Sequence, residues 1–178
     1  MSVVSLNSAE EGGVNMSAKA IEAIQGIPEA MHRSGDELPF VELTEGVQFQ
    51  LLQVDIEAGL WVVRTLFQPG VTIQRHLHTG EVYAVTFSGA WKYHEYPETI
   101  NKAFSYLYEP AGSIHTLTTD IPGVDEPTDV WFAIKGANLN LDEKGNVESV
   151  VDATNILKLY NEGCEKAGCA EPDIIRLR

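Results

Sequence analysis

The chain has 178 residues, 44% hydrophobic and 21% charged, with 12 Lys and Arg against 26 Asp and Glu and a formal charge of −14. That length suits one domain able to bury about 70% of the surface of its unfolded chain, so folding needs neither a disulfide nor a metal. The acidity excludes nucleic acid and anionic membrane as partners, since Lys and Arg clusters hold both, and no apolar run approaches the ~20 residues of a membrane span.

Residues 1–36 form an N-terminal arm with a short helix. Met1 to Asn15 is small and polar, without the basic flank and apolar stretch of a secretory signal. Ser17 caps a helix over Ala18 to Gln25 that Gly26 and Pro28 end. Residues 37–140 read as short strands separated by turns. Val47, Phe49 and Leu51 alternate with Gln48 and Gln50, and a strand from Leu60 to Phe67 lies between Gly59 and the Pro69-Gly70 turn. Further runs at Val82 to Phe87, Trp91 to Tyr96, Phe104 to Tyr108, His115 to Thr119 and Val130 to Ile134 are rich in β-branched and aromatic residues. Such spacing predicts an all-β sandwich or barrel. Residues 141–178 begin with a hairpin turn, Asp142 to Asn146, in which Gly145 supplies positive φ. A helix follows, with Ile156, Leu157, Leu159 and Tyr160 on one side and Asp152 or Thr154 as cap. The two cysteines, Cys164 and Cys169, read as free thiols. With no signal or span, a soluble cytoplasmic protein is expected.

Five histidines are present, and three form a pattern. His76 and His78 are two apart in an extended run, so both leave the same face of a strand. His115 follows a tight turn, Pro110-Ala111-Gly112-Ser113-Ile114, which delivers one imidazole at a strand start. A curled sheet brings the third ring opposite the first two.

Gly70-x5-His76-x-His78 followed by Gly89 resembles the first motif of the cupin superfamily, and Pro110-x-Gly112-x-x-His115 resembles the second. The resemblance runs roughly from Val47 to Gly136. It implies a jelly-roll-like barrel, with short peripheral helices at the N- and C-terminal ends, holding a divalent metal on His76, His78 and His115. The family's usual glutamate, seven residues before the closing glycine, is Val82 here. The nearest carboxylate, Glu81, is one residue early, and a one-residue shift on a regular strand turns a side chain to the other face. The expected site is three histidines without that carboxylate. The second motif also lacks its leading glycine, with Phe104 in its place, and its trailing asparagine, replaced by Thr119.

His76-Leu77-His78-Thr79-Gly80-Glu81-Val82 and Gly89-Ala90-Trp91-Lys92-Tyr93-His94-Glu95-Tyr96, with the Asp142 hairpin before a helix, look like the 2,4'-dihydroxyacetophenone dioxygenase group. Acetylacetone-cleaving dioxygenases are similar in ligand set. The resemblance implies a non-haem Fe(II) enzyme that cleaves a C–C bond beside a carbonyl with O2 in a small hydroxyketone or diketone. It gives Glu95 a catalytic part as proton acceptor, on a strand face shared with Trp91 and Tyr93. Imidazole ligands suit Fe, Zn and Ni alike. Trp61, Phe87, Trp91, Tyr93 and Trp131 are candidates for an aromatic pocket. A homodimer or homotetramer is expected, since cupins commonly pair strands between subunits. The alternatives are a zinc-binding sensor or binding module, and a metal-dependent isomerase without O2 chemistry.

Overall fold

The computed structural model describes residues 30–169 and 171–177, so the arm and the expected helix over Ala18 to Gln25 lie outside the described residues. Strands dominate the rest. They are β1 (Val41–Thr44), β2 (Val47–Asp55), β3 (Leu60–Phe67), β4 (His76–His78), β5 (Val82–Ser88), β6 (Ala90–Tyr93) and β7 (Asn101–Lys102). After them come β8 (Tyr106–Glu109), β9 (Ile114–His115), β10 (Leu117–Thr118), β11 (Thr128–Lys135), β12 (Asn138–Leu141) and β13 (Val147–Val151). Helix α1 (Ala153–Lys166) and β14 (Ile175–Leu177) complete the order.

A seven-stranded sheet runs β1-β2-β3-β11-β5-β8, with β14 parallel to β2. A four-stranded sheet, β13-β12-β4-β9, and a three-stranded one, β10-β6-β7, accompany it. The alternation in β2, β3, β5 and β11 explains the layering. Phe49, Trp61, Val63, Phe67, Val82, Val130, Phe132 and Ile134 turn inward to a common core that also takes Trp91 and Tyr93. This is the all-β, jelly-roll-like architecture expected.

Several strand limits differ from the sequence reading. β6 stops at Tyr93, where the Tyr96 N–H donates to the Tyr93 carbonyl and Pro97 follows. β8 starts at Tyr106, because Phe104 sits at φ 68° in a turn. The run from His115 breaks at Thr116 into β9 and β10. Gly89 adopts φ 70°, and a Cβ there would lie 2.7 Å from the Thr128 Cα, so the closing glycine of the first motif is required by packing.

The hairpin turn lies where expected, between β12 and β13, with Gly145 at φ 83°. Asp152 caps α1 by accepting from the Asn155 N–H at 2.8 Å. The buried face is Ile156, Tyr160 and Cys164, a four-residue spacing, while Leu159 is exposed. Tyr160 packs on Phe49 at 5.4 Å between ring centroids and donates to the Pro39 carbonyl at 2.7 Å. Among the described residues no helix is long and apolar enough to cross a membrane.

Candidate metal centre

The four-stranded sheet builds the centre. β4 is too short to twist away, so His76 and His78 leave one face together. β9 pairs antiparallel with β4, and His115 stands directly opposite His76. The Pro110–Gly112 turn sets that register: Gly112 takes φ 87°, and its N–H donates to the His78 carbonyl at 2.7 Å. The three rings are 4.8 to 5.0 Å apart, all buried, and their ligand atoms lie within 4.8 Å of one another. Spacing and turn thus bring together the three histidines that the sequence singled out.

The His76 Nδ1 hydrogen-bonds the Gln74 carbonyl at 2.8 Å, which fixes the tautomer and leaves the Nε2 lone pair for a ligand role. Burial outweighs this bond and pushes the His76 pKa down to about 4, so the ring is neutral at pH 7.

The site also holds a carboxylate that sequence reasoning missed. Glu109, the last residue of β8, is 4% exposed. One of its oxygens, Oε2, lies 3.0 Å from His78 Nε2 and 2.8 Å from His115 Nε2. Its other oxygen, Oε1, accepts from the Tyr93 hydroxyl. Burial works to raise the Glu109 carboxyl, but the His115 and His78 rings against it hold it well below the usual carboxylate range. Burial first, and then the Glu109 charge, push the Tyr93 hydroxyl well above its ordinary value, so it stays a donor. Tyr93 also stacks on His115 at 3.9 Å, which holds that ring flat.

Register explains how Glu109 reaches the centre. β5 and β8 are antiparallel, and Val82 stands directly opposite Glu109. Directly opposed residues project from the same face with Cβ atoms about 5 Å apart. The carboxylate absent at Val82 is therefore supplied from the neighbouring strand. Its signal in the sequence was the vacancy at Val82 together with an acidic residue just before Pro110.

These residues fit a divalent metal. Glu109 Oε2 and His115 Nε2 are 2.8 Å apart, yet both are buried with no hydrogen-bond partner. They are not aimed at each other. A metal on the three histidines would take the unpartnered His115 Nε2 as a ligand and leave Glu109 Oε2 as a negative charge against the ligand rings.

Glu81 points elsewhere, pairing with Lys135 at 3.0 Å and accepting from Tyr83 and Tyr108. Glu95 does not share a strand face with Trp91 and Tyr93, because β6 ends before it. It sits on an exposed turn, accepting from the Thr116 N–H at 2.9 Å and hydroxyl at 3.1 Å. Its place is behind the His115 segment, not in the cavity.

That cavity, of about 480 Å³, opens beside the centre. His76, His78, Tyr93 and Glu109 line one part of it, and Phe49, Trp61, Val63, Phe67, Phe132 and Ile134 another. Of the five aromatics expected to line a pocket, Trp61 and Tyr93 do so. Trp91 is fully buried in the core, Phe87 is exposed and Trp131 faces away from the lining.

The family model described as the ChrR cupin-like domain matches residues 29–133. A protein of unknown function with a cupin-like fold from Ralstonia eutropha is 31% identical, covering 87% of this chain and 96% of its own, with a TM-score of 0.79. An RmlC-like cupin from the same organism is 23% identical over 83% and 94%, TM-score 0.76. An acetylacetone dioxygenase from Acinetobacter johnsonii, 15% identical over 89% and 99% with a TM-score of 0.66, shares the fold. No curated protein matches the chain.

Proposed function

We propose that this chain, which belongs to the ChrR cupin-like family of the cupin superfamily, is a non-haem Fe(II) dioxygenase that cleaves the C–C bond beside a carbonyl in a small, uncharged hydroxyketone or diketone. The observation that carries this reading is the pairing of a three-histidine centre with Glu109 at the wall of an apolar cavity. A cavity of about 480 Å³ accommodates a single aryl or short alkyl ketone. The fold shared with an acetylacetone dioxygenase is consistent with it.

A ferrous ion held by His76, His78 and His115 would supply open positions for substrate oxygens and O2 and the redox chemistry that O2 activation needs. The neutral His76 ring is already in its ligand form. Glu109 is the base that takes the acidic proton next to the substrate carbonyl, with Oε2 as the acceptor atom. The Tyr93 hydroxyl keeps Oε1 occupied, so Oε2 is the oxygen left for this work. The apolar walls exclude water and make each charge contact stronger. Glu95, originally the expected base, acts instead on the Thr116 backbone and helps hold the segment that carries His115.

We further propose a homodimer or homotetramer. Tyr106 and Tyr108 stand exposed on β8, the last strand of the seven-stranded sheet, where an unpaired edge invites a second strand. A monomer by sedimentation at micromolar concentration would refute it. A second functional reading, a metal-binding module without catalysis, is favoured by the family description alone. The test is metal analysis of the untreated protein with O2 uptake on hydroxyacetophenones and β-diketones. Iron with ketone-dependent uptake supports the dioxygenase; zinc with no uptake supports the module.

A further inference from the structure

We propose that Cys164 and Cys169 are a reversible dithiol, a modification site at which a small-molecule disulfide oxidises the pair to an intramolecular bond. This goes beyond the reaction proposed above and does not depend on it. Both cysteines are free, Cys164 buried and Cys169 exposed.

The way α1 ends brings them together. The helix closes at Lys166, Ala167 caps it, and Gly168 takes φ 67°. The Gly168 N–H donates to the Glu165 carbonyl at 3.0 Å, and the Cys169 N–H to the Cys164 carbonyl at 2.9 Å. In a helix end closed by these two bonds around a left-handed glycine, the residues joined by the longer loop bring their side chains into contact. Here those residues are the two cysteines. Their hydrogen bond also limits their separation. With standard backbone lengths, the 2.9 Å N···O contact holds the two Cα atoms no more than about 6.8 Å apart, a limit only collinear atoms would reach. A disulfide spans Cα separations of about 4.4 to 6.8 Å. Burial, and after it the neighbouring Cys169 thiol, push the Cys164 thiol up, as expected of two sulfurs side by side.

The difference in burial assigns the roles. Cys169 is the thiol that a dissolved disulfide reaches, and its thiolate is the attacking group. Its sulfur bonds to one sulfur of the reagent, the reagent S–S bond breaks, and the thiolate released takes up the proton that Cys169 lost. Cys164, held protonated until then, attacks the Cys169 sulfur. The mixed S–S bond breaks, and the second reagent thiolate leaves with the Cys164 proton. The two protein thiols lose two electrons, and one reagent disulfide is reduced to two thiols. A formal charge of −14 favours uncharged or cationic reagents over anionic ones. Cys164 stands on the buried stripe of α1 with Tyr160 and Ile156, and Ile156 lines the cavity. Gly163 beside it packs so closely that a Cβ there would lie 2.7 Å from the Val41 Cβ. The bond therefore fixes the end of a helix already seated against the sheet.

The experiment incubates the metal-loaded full chain with bis(2-hydroxyethyl) disulfide and follows intact mass and peptide maps without reductant. Wild type should lose two hydrogens, with Cys164 joined to Cys169, and regain them with dithiothreitol. Cys164→Ala should stop with one reagent half on Cys169. Cys169→Ser should stay unreacted while folded. Closing a six-residue loop should raise the melting temperature of the oxidised protein by about 4 to 8 °C. A wild type that stops at the mixed adduct, links two chains through Cys169, or melts lower when oxidised overturns the proposal. So does Cys169→Ser reacting as fast as wild type.

Discussion

Glu109→Gln removes one negative charge from the centre while keeping the size of the side chain. The carboxamide oxygen can still accept from Tyr93, so Tyr93 keeps a partner and His115 keeps its stacked ring. What is lost is the charge 3.0 and 2.8 Å from two ligand nitrogens. Two unit charges about 4 Å apart interact by about 4 kcal/mol at a dielectric of 20, and the saved desolvation of a buried carboxylate offsets part of that. Loss of a group touching metal ligands lowers metal affinity by about 10- to 100-fold. Loss of a positioned base lowers turnover by about 10²- to 10⁴-fold. Competition against a chromophoric chelator reads the first quantity, and O2 uptake at saturating iron reads the second. A variant within about twofold of wild type in both, less than one ordinary hydrogen bond is worth, would refute the place given to Glu109. Val82→Glu with Glu109→Val returns a carboxylate from the opposing position, and should recover part of the metal affinity that Glu109→Val alone loses.

Glu95→Gln should leave metal content unchanged and slow turnover only a few-fold, of the order of one neutral hydrogen bond, because its contact is with Thr116; a fall as deep as that of Glu109→Gln would restore Glu95 as the base. His76→Ala, His78→Ala and His115→Ala should each lose most of the bound metal and keep a β-rich far-ultraviolet spectrum, since the core lies largely apart from the centre; full metal content in His115→Ala would contradict the ligand set. Acid should destabilise the metal-free protein. The folded His76 pKa of about 4 is below its ordinary 6.5, so the stability from its neutral ring is complete above about pH 6.5 and is lost as pH falls toward 4. The shift corresponds to about 3 kcal/mol, and the lowered Glu109 carboxyl adds in the same direction at more acid pH. Thermal melting of chelator-treated protein from pH 7.5 to 4 should show a drop that His76→Gln reduces; equal slopes would contradict the burial of a neutral ring.

The histidines were legible because both constraints on them are local. Two positions on one strand share a face, and a Pro-x-Gly turn precedes His115. Glu109 was not legible, because its place depends on the pairing of β8 with β5, which no local pattern states. The vacancy at Val82 was seen, and Glu81 pairs with Lys135 instead of filling it, but filling a vacancy across strands needs the register. Glu95 was misplaced for the opposite reason. A strand was extended through His94 to Tyr96 on aromatic content, although Pro97 already signalled the turn that ends it. Helix α1 was found from its periodicity, yet its buried stripe is Ile156, Tyr160 and Cys164, set by the packing of Tyr160 on Phe49 and the close approach of Gly163 to Val41. The parallel pairing of β14 with β2 is a long-range contact of three residues, too short to leave a pattern.

The central claim is O2-dependent cleavage at the His76, His78, His115 and Glu109 centre. The most direct measurement admits ¹⁸O2 to iron-loaded protein already mixed, without oxygen, with 2-hydroxy-1-phenylethanone, and analyses the products by mass. One O2 consumed per ketone, giving benzoic and formic acids with one labelled oxygen in each, is the predicted result. Unconsumed O2, or acids carrying oxygen from water alone, would contradict it.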